Sequence, residues 1–389
     1  MRIGIDARFY GSVGKGLGRY TEKLLEHLQA LDTENEYVVF LRRENFEEFQ
    51  PTNRRFKKVL ADFAWYGWSE QLIFPWLLYR FRFDLVHFPH FNVPLLYRKK
   101  FVVTIHDLIL LHYPTFRNTT RPAFIYRLKF LVYRFVIAYA VRRAAKIIVV
   151  SRFTETDVLS HYEAAKGKIA VTYEAADQAC ALGGGSQTSA LLSRFGLLKG
   201  TVTEAFLPPS RAIIDSYLLY VGNAYPHKNL SLLIRAAKRL PSCRFLLVGK
   251  EDYFYTRLKA EALREGVTNV IFTGFLSDRE LGILYRYATL YVFPSLYEGF
   301  GLPPLEAMTY GVPVLSSDAG SLPEILGEAA LYFDSRSPSA LEKGVQKLMA
   351  DEELQKELRK RGYRQAAKFH WQKMARETHL LYQEARRQK

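Results

Sequence analysis

Short apolar runs recur along most of the chain, each separated from the next by a stretch long enough for a helix. In the first half they occupy residues 2–7, 37–41, 56–61, 84–88, 101–106, 146–150 and 169–173. After an interruption the series restarts at residues 217–221, 244–248, 270–273, 290–293, 312–315 and 330–333. Near-continuous apolar strands that alternate with helices are typical of parallel sheets covered on both faces. The pattern predicts an α/β protein with two doubly wound, Rossmann-like domains facing a central cleft.

The interruption predicts where the domains meet. Residues 183–215 begin with three consecutive glycines and continue through a polar stretch that contains prolines, which is typical of a linker with a mobile insertion. We therefore expect an N-terminal domain over residues 1–182 and a C-terminal domain over residues 216–370. A last helix, over residues 371–389, is expected to follow.

An excess of basic side chains is concentrated in one segment of the first domain. The chain has 55 Lys and Arg against 39 Asp and Glu, and residues 98–152 contain twelve of the basic residues and one acidic residue. A helix predicted here would carry Arg127, Arg134, Arg142 and Lys146 along one side, with aromatic residues between them. Such a helix is typical of a surface that binds anionic lipid. We expect contact with an anionic membrane surface near residues 98–152, and the net charge leaves a nucleic-acid-binding protein as the alternative.

Two further features bear on location. The chain begins MRIGIDAR, without the apolar run of a secretory signal, and the longest apolar stretch is too short to span a bilayer. The two cysteines, Cys180 and Cys243, have no spacing that indicates a disulfide framework or a metal site. A cytoplasmic protein, peripheral at the inner face of the cell membrane, is the expectation.

Ligands of open parallel sheets bind beyond the carboxyl ends of the strands, and several polar residues of the first domain are predicted there. Gly14, Gly16 and Gly18 follow the first strand and precede a helix. Glycines let backbone N–H groups approach an anion, although a flexible turn accounts equally well for these residues. The fifth strand ends at His106 and Asp107, where the imidazole is placed to donate to a sugar hydroxyl or a phosphate and the carboxylate to fix its tautomer.

The second domain has a longer motif of the same kind. Lys228 stands just before a predicted helix, where a positive charge opposes the helix dipole and suits a phosphate. The run FPSLYEGFGLPPLEAMTYGVPVL places Glu298 in a loop after a strand and Glu306 in the first turn of a helix opened by two prolines. The glycines on either side of Phe300 predict a nest of backbone N–H groups suited to a diphosphate. A solvated lysine and a helix-stabilising acid are the alternative interpretations.

Together these motifs resemble those of the retaining nucleotide-sugar glycosyltransferases of family 4. EGFGLPPLE has the E-x7-E pattern of that family, and the other motifs in family order are GKGLGRY, TIHDL, VVSRFTETD, YVGNAYPHKNL, FTGFLSDREL and DAGSLPEI. The resemblance covers nearly the whole chain and implies the two-domain GT-B fold. As in many members, the C-terminal helix from Trp371 is expected to cross back onto the first domain. The runs GRY and PHKN look most like those of members that act on GDP-mannose, so a mannosyltransferase is the expectation.

The resemblance also implies a role for each matched residue. Glu306 would bind the ribose hydroxyls of the nucleotide, Glu298 would lie against the donor sugar, and His106 would contact the transferred sugar. Lys228 would hold the diphosphate. The other implied donor-binding residues are Gly14, Gly16, Gly18, Asn223, Gly299, Phe300 and Gly301.

The implied reaction is transfer with retention, in which the leaving diphosphate takes the acceptor proton and no dedicated nucleophile is required. The sequence contains no Asp-x-Asp pair, and His87 and His90 have no third ligand nearby in sequence, so no metal or other cofactor is expected. Asn223 stands where many members have an arginine, which leaves Arg19 and Arg152 as alternative phosphate cations. The expected partners are a nucleotide-sugar and a glycan or lipid-linked acceptor.

Two doubly wound domains also suit an NAD-dependent oxidoreductase, the second alternative. The glycine run does not have the dinucleotide spacing, and the second strand is followed by Arg42 and Arg43 instead of an acidic residue for a ribose. A glycosyltransferase therefore accounts for more of the sequence.

Overall fold

The chain forms two compact units in a computed structural model that describes residues 1–114, 123–177, 185–199 and 214–387. The first unit comprises Met1–Glu174 and Phe369–Lys389, and the second comprises Ala175–Lys368. Each unit is built on its own parallel sheet.

The helices and strands alternate through both units. Up to the end of the first sheet they are β1 (Arg2–Asp6), α1 (Lys15–Leu31), β2 (Glu36–Leu41), β3 (Phe56–Leu60), α2 (Trp68–Leu72), α3 (Phe74–Arg80), β4 (Leu85–Phe88), β5 (Phe101–Ile105), α4 (Ile109–His112), α5 (Ala123–Arg143), β6 (Lys146–Val149), α6 (Arg152–His161) and β7 (Ile169–Val171). The remainder are α7 (Gly185–Arg194), β8 (Tyr217–Val221), α8 (Leu230–Arg239), β9 (Arg244–Val248), α9 (Tyr253–Arg264), β10 (Val270–Gly274), α10 (Asp278–Tyr287), β11 (Leu290–Phe293), α11 (Leu302–Thr309), β12 (Val314–Ser317), α12 (Leu322–Leu326), β13 (Ala330–Phe333), α13 (Pro338–Ala350), α14 (Glu352–Ala366) and α15 (Trp371–Arg387).

The strand order is the same in both units apart from one added strand. It is β3-β2-β1-β4-β5-β6-β7 in the first sheet and β10-β9-β8-β11-β12-β13 in the second. All neighbouring strands are parallel. The order reverses between β1 and β4 and between β8 and β11, and such a switch point leaves a crevice at the carboxyl ends of the strands. Every run predicted to be a strand is one, so the predicted fold class is confirmed.

Most strands are largely apolar because helices cover both faces of each sheet. All five residues of β5 are buried, as are all four of β11. In the first unit the covering layer includes α5, whose second half buries Val136, Ile137, Ala140 and Val141. The close helical spacing of these four residues turns one face of α5 onto the sheet.

The segment expected to be a linker is partly structured and belongs to the second unit. Residues 185–194 form α7, which buries Thr188, Leu191 and Leu192, and Leu198 pairs with Ile214 in an isolated bridge. This corrects the expectation of a linker over 183–215, because the three buried residues at helical spacing were masked by the polar composition around them. The boundary between the units in the sequence lies between residues 174 and 175, instead of at residue 182. Cys180, Gly183 and Gly184 lie outside the described residues.

The last helix, α15, is part of the first unit. It buries Met374, Thr378 and Tyr382, and the hydroxyl of Tyr382 lies 2.6 Å from Nδ1 of His87 on β4. At its end, Glu384 pairs with Lys146 at 2.8 Å. The first unit is therefore completed by residues that follow the whole of the second unit in sequence.

Candidate active site

An ion pair joins the two chain segments that leave the switch point of the second sheet. Lys228 ends a 3-10 helix, Pro226–Lys228, that follows β8, and Glu298 lies in the loop after β11. Nζ of Lys228 is 2.6 Å from Oε1 of Glu298, and the side chains are 13% and 8% exposed. Nζ also lies 5.3 Å from the ring centroid of Phe293. The pair places a cation and a carboxylate at the carboxyl ends of the strands. This is the edge of an open parallel sheet at which ligands bind.

Asn229 fixes the position of Lys228 and was not predicted. Its φ of 57° is in the left-handed region, which Asn tolerates better than most residues. Its side-chain amide donates to the carbonyl of Pro294 at 3.2 Å and to that of Ser335 at 2.9 Å. These bonds attach the turn after β8 to the ends of β11 and β13, so Lys228 starts from a rigid backbone.

The loop that carries Glu298 is braced by the segment between β12 and α12, part of the DAGSLPEI motif. The hydroxyl of Ser321 donates to the carbonyls of Glu298 at 3.1 Å and Phe300 at 2.9 Å. Gly320 has a φ of 63°, and a Cβ there would lie 2.7 Å from the backbone nitrogen of Glu298. Only glycine meets both requirements. The motif therefore supports the loop that carries Glu298.

Gly299, Phe300 and Gly301 complete the buried loop that leads into α11. Gly301 is the N-cap residue of α11 and has a φ of 96°. A Cβ at this position would lie 2.7 Å from Cδ2 of Leu322. The loop must therefore turn sharply at a glycine before α11 starts. This brings the loop and the first residues of α11 to the same edge of the sheet.

Glu306 lies in the second turn of α11, which corrects the expectation of a first-turn acid. The hydroxyl of Tyr285 lies 3.3 Å from its Oε2. Burial raises the pKa of Tyr291, and the charges of Glu306 and Glu298 both raise it further. The hydroxyl of Tyr291 itself lies 3.3 Å from the carbonyl of Val221.

Asn223 has a role in the turn after β8. Its Oδ1 accepts a hydrogen bond from the backbone N–H of Tyr225 at 3.2 Å, and its carbonyl accepts one from the hydroxyl of Tyr220 at 2.8 Å. This arrangement is an Asx-type turn. The amide oxygen that could face a ligand is thereby engaged by the backbone.

Two of the three glycines expected before the first helix lie within it, which corrects the sequence-based expectation. A 3-10 helix, Gly11–Gly14, runs directly into α1, so Gly16 and Gly18 are in the first turn of that helix. A Cβ at Gly14 would lie 2.0 Å from the carbonyl oxygen of Phe9, and one at Gly18 equally close to that of Gly11. Nothing lies within 4 Å of a Cβ at Gly16. Two of the three predicted glycines are required by packing, and only Gly16 borders open space.

His106, at the end of β5, is held by groups that the sequence did not indicate. Its Nδ1 is 2.9 Å from Oε1 of Glu174, and its Nε2 is 3.0 Å from the carbonyl of Pro89. Burial by itself lowers the pKa of His106, but the hydrogen bond and charge of Glu174 outweigh it and raise the pKa overall. Asp107 was expected to fix the imidazole, and instead its Oδ1 accepts from the backbone N–H of Ile109. The expectation was wrong because the imidazole is held by Glu174, which is 68 residues later in sequence and follows β7, two strands along the sheet from β5.

A chain of buried polar groups lies behind His106. The hydroxyl of Tyr20, whose ring packs edge-on against that of His106, lies 3.2 Å from Oγ1 of Thr104. Oγ1 of Thr104 is 2.8 Å from Nε2 of His87, and Nδ1 of His87 meets Tyr382 of α15. Burial lowers the pKa of His87 to about 3, so this imidazole is neutral. The chain links four elements of the first unit and accounts for His87 as a structural residue.

His90 and the two alternative phosphate cations can also be placed. Nε2 of His90 is 2.8 Å from the hydroxyl of Tyr66, and burial lowers the pKa of His90 to about 3. Arg152, at the start of α6, is exposed and lies 3.8 Å from Glu155. Arg19 is half-buried in α1. Both arginines belong to the first unit, whereas Asn223 belongs to the second.

A buried charge network, also missed from the sequence, follows β1. Arg8 is fully buried, with Nε 2.7 Å from Asp6 and Nη2 2.6 Å from Glu70 of α2. The side-chain amide of Asn92 donates to Glu70 at 2.5 Å. Because a buried charge is costly unless it is paired, this network fixes α2 to the carboxyl end of β1.

Known families and proteins match both halves of the chain. Residues 14–179 match the family model described as Glycosyltransferase Family 4, and residues 213–365 match the model described as Glycosyl transferases group 1. O-antigen chain mannosyltransferase B of Escherichia coli is 27% identical over 316 residues, which are 79% of this chain and 76% of that protein. Serotype-specific mannosyltransferase WbdA of Escherichia coli is 37% identical over 165 residues, which are 40% of this chain and 20% of that protein.

Solved structures match over almost the whole length. Sucrose-phosphate synthase from Thermosynechococcus elongatus superimposes with a TM-score of 0.75 at 20% identity, covering 99% of this chain and 98% of that one. At this identity the match shows the shared fold alone. It agrees with the two parallel sheets and their switch points.

Proposed function

The chain belongs to the family 4 glycosyltransferases with the GT-B fold, and from that premise we propose that it transfers mannose from GDP-mannose to a glycan or lipid-linked glycan with retention of configuration. The family predicted from the motifs is thereby confirmed. The observation that carries the proposal is the pair of Lys228 and Glu298 at the switch point of the second sheet. Mannose is the proposed sugar because the two relatives described above are both mannosyltransferases by name.

The proposed reaction needs few groups from the protein. The acceptor oxygen bonds to the anomeric carbon on the face from which the diphosphate leaves, while the bond from that carbon to the phosphate oxygen breaks. The acceptor proton passes to the leaving phosphate oxygen. Lys228 stabilises the charge that develops on this phosphate, and Glu298 holds the ammonium group and accepts from a sugar hydroxyl. No metal is required in this scheme.

Two further residues have proposed roles in binding. Glu306 accepts from the ribose hydroxyls of the nucleotide, with Tyr285 fixing one of its oxygens. His106, whose pKa is raised by Glu174, donates to the transferred sugar. For this its Nε2 exchanges the carbonyl of Pro89 for a sugar hydroxyl. Lys228, Glu298 and Glu306 belong to the second unit, and His106 belongs to the first.

Thermal unfolding in the presence of nucleoside diphosphates tests the donor. A nucleotide present at 100 times its Kd stabilises the native protein by about 2.7 kcal/mol, so GDP should raise the unfolding temperature more than UDP, ADP or CDP at equal concentration. Glu306→Ala should reduce the shift, whereas Lys360→Ala, at an exposed lysine on α14 of the same unit, should leave it unchanged. A larger shift with UDP would overturn the choice of base. No shift with any of them would overturn the proposed nucleotide-sugar donor.

We further propose that the first unit binds an anionic membrane surface through α5. Leu128, Leu131, Val132 and Phe135 have the i, i+3, i+4, i+7 spacing of one helix face, and each is between 52% and 62% exposed. An apolar stripe of this kind is not needed for the core, which α5 contacts through its second half. Exposed large apolar side chains grouped on one face mark an interaction surface.

Basic residues accompany the stripe. Arg127, Lys129, Arg134 and Arg142 of α5 are all exposed. Lys146 was expected on the same side of this helix, but it lies in β6 and pairs with Glu384. Each exposed basic residue near anionic lipid contributes about 1 kcal/mol, and the apolar side chains add burial in the headgroup zone. Residues 115–122 of the basic segment lie outside the described residues.

A second exposed apolar group lies on α2 and α3. Trp68 and Trp76, on α2 and α3, are 84% and 74% exposed. Tyr66, just before α2, lies 6.4 Å from the ring of Phe91, which in turn lies 5.0 Å from Tyr133 of α5. This series of ring contacts connects the start of α2 with α5. Tryptophan is favoured where apolar and polar surroundings meet, so these side chains extend the proposed membrane surface.

Liposome flotation tests this surface. The protein should float with phosphatidylglycerol vesicles at low salt and be released at high salt, because exposed charges are screened. Reversal of Arg127, Arg134 and Arg142 to Glu should abolish flotation. The matched control reverses three exposed basic residues of the second unit to Glu, and these are Arg235, Arg264 and Lys360. Equal loss in the control, or equal binding to neutral vesicles, would overturn the proposal.

The apolar stripe has its own variant. Leu131→Ser with Phe135→Ser should weaken flotation while leaving nucleotide binding and the unfolding temperature unchanged, because both side chains are exposed.

Within the described part of the chain, every helix is too short or too polar to cross a bilayer. Neither the oxidoreductase nor the nucleic-acid-binding alternative is supported by the family matches.

A further inference from the structure

Two helices of the first unit bring together three side chains that are ligands for transition metals. His112 ends α4, and Asp157 and His161 are one turn apart on α6. Among the described residues, these are the ones whose histidine nitrogens and carboxylate oxygens all lie within 4.8 Å of one another. None of the three was singled out by the sequence, because His112 is 45 residues from Asp157.

The spacing of the ligand atoms suits tetrahedral coordination. Nε2 of His112 is 3.0 Å from Oδ1 of Asp157, and that oxygen is 3.4 Å from Nδ1 of His161. Zinc–nitrogen and zinc–oxygen bonds are about 2.0–2.2 Å long, so neighbouring ligand atoms in a tetrahedron are separated by about 3.3–3.5 Å. Two edges of the tetrahedron therefore lie close to the required length, and the third, between the two histidine nitrogens, is no longer than 4.8 Å.

We propose that His112, Asp157 and His161 bind a divalent transition-metal ion, with Zn²⁺ as the first choice. Two imidazoles and one carboxylate suit zinc, with water in the fourth position. The imidazoles are about one third exposed, with side-chain values of 32% and 37%, so water can reach that position. The side chain of Asp157 is only 9% exposed, and its carboxylate lies next to both imidazoles.

Binding requires a change at His161. Its Nδ1 lies 2.9 Å from the carbonyl of Asp157, a contact that an N–H makes. To coordinate a metal this nitrogen must present its lone pair, so the proton moves to the exposed Nε2 or is released to solvent.

The consequence for the protein is a cross-link between α4 and α6. These helices follow β5 and β6, which are neighbours in the first sheet. The ion would stabilise the position of α4, the helix that follows His106 and Asp107. The proposal is independent of the donor site, since none of the three ligands is among the residues assigned to bind the nucleotide-sugar.

Cobalt titration tests the site directly. The full-length protein, stripped with EDTA and desalted, should bind one Co²⁺ with the visible absorption of tetrahedral cobalt, and Zn²⁺ should displace it. Asp157→Asn and His161→Gln should each weaken binding at least tenfold. The control is His370→Gln, at an exposed histidine just before α15, which should bind as the parent does.

Thermal unfolding provides a second readout. Zn²⁺ should raise the unfolding temperature of the parent and of His370→Gln, and should not raise that of His161→Gln, whose unfolding temperature without metal should equal that of the parent. Absence of the cobalt spectrum, or equal metal affinity in parent and His161→Gln, would overturn the proposal. Either result would leave the glycosyltransferase assignment untouched, because that depends on nucleotide binding in the second unit.

Discussion

The pairing of Lys228 with Glu298 predicts that the two side chains are strongly coupled in stability and separately required for turnover. Lys228→Ala leaves a carboxylate that is 8% exposed without its cation, and Glu298→Gln leaves the ammonium without its anion. Removing one partner of a buried ion pair costs about 3–5 kcal/mol. Because both side chains keep slight exposure, we expect about 3 kcal/mol for each single variant, the lower end of that range.

The double variant Lys228→Ala with Glu298→Gln removes both charges and should be destabilised by about 3 kcal/mol, no more than either single variant, because neither charge is left without its partner. The coupling free energy should therefore be about 3 kcal/mol, at the upper end of the range found for contacting residues. Turnover should behave differently. Each single variant should lower donor turnover at least tenfold, or about 1.4 kcal/mol of transition-state stabilisation, and the double variant should not recover it, because the cation for the leaving phosphate is still missing.

Calorimetry or chemical unfolding, followed for the transition of the second unit, measures the first quantity, and donor turnover measures the second. The matched control is the exposed pair Lys238 and Glu265 of the same unit, whose Nζ and Oε2 are 3.0 Å apart. The cycle of Lys238→Ala and Glu265→Gln should give a coupling below about 1 kcal/mol and normal turnover. Coupling at Lys228 and Glu298 no larger than in the control, or normal turnover in the double variant, would refute the assigned geometry and role.

Three other predictions concern metal removal, the imidazole of His106 and the loop that carries Glu298. Turnover should be unchanged in excess EDTA, even as the unfolding temperature drops with loss of the proposed zinc, and activity that required added Mg²⁺ or Mn²⁺ would contradict the metal-free scheme. Glu174→Gln should lower the pKa of His106, seen by NMR titration, and because a raised pKa stabilises the native state only below it, the variant should lose stability at acid pH and little at alkaline pH. Gly320→Ala should lower the free energy of unfolding by about 1–3 kcal/mol and raise the KM for the donor, because φ is 63° and the new Cβ would meet the backbone of Glu298. An unchanged KM would show that the loop does not need this support.

The strands were predictable because each is a short apolar run between polar stretches, and burial on both sheet faces demands that composition. The same argument placed Lys228 and Glu298 correctly beyond strand ends. It failed for α7, whose buried Thr188, Leu191 and Leu192 are too few to stand out in a polar, glycine-rich stretch.

Residues that act through tertiary contacts were not predictable in this way. Glu174 reaches His106 across two strands, and Asn229 reaches the ends of β11 and β13 through its side-chain amide. Asp107 was chosen for the role of Glu174 because it is adjacent in sequence, although its own backbone turn uses the carboxylate. These groups come together only through the order of the strands in the sheet, and that order cannot be read directly from a single sequence.

The contribution of α15 to the first unit has a consequence for biosynthesis. During translation, residues 1–174 leave the ribosome long before residues 369–389, and all of the second unit is made in between. Until then α1 and the imidazole of His87 lack the helix that covers them, and Tyr382 cannot reach its partner. The second unit can therefore fold first, as the nascent chain grows, while the first unit waits as an incomplete domain with apolar surface available to chaperones.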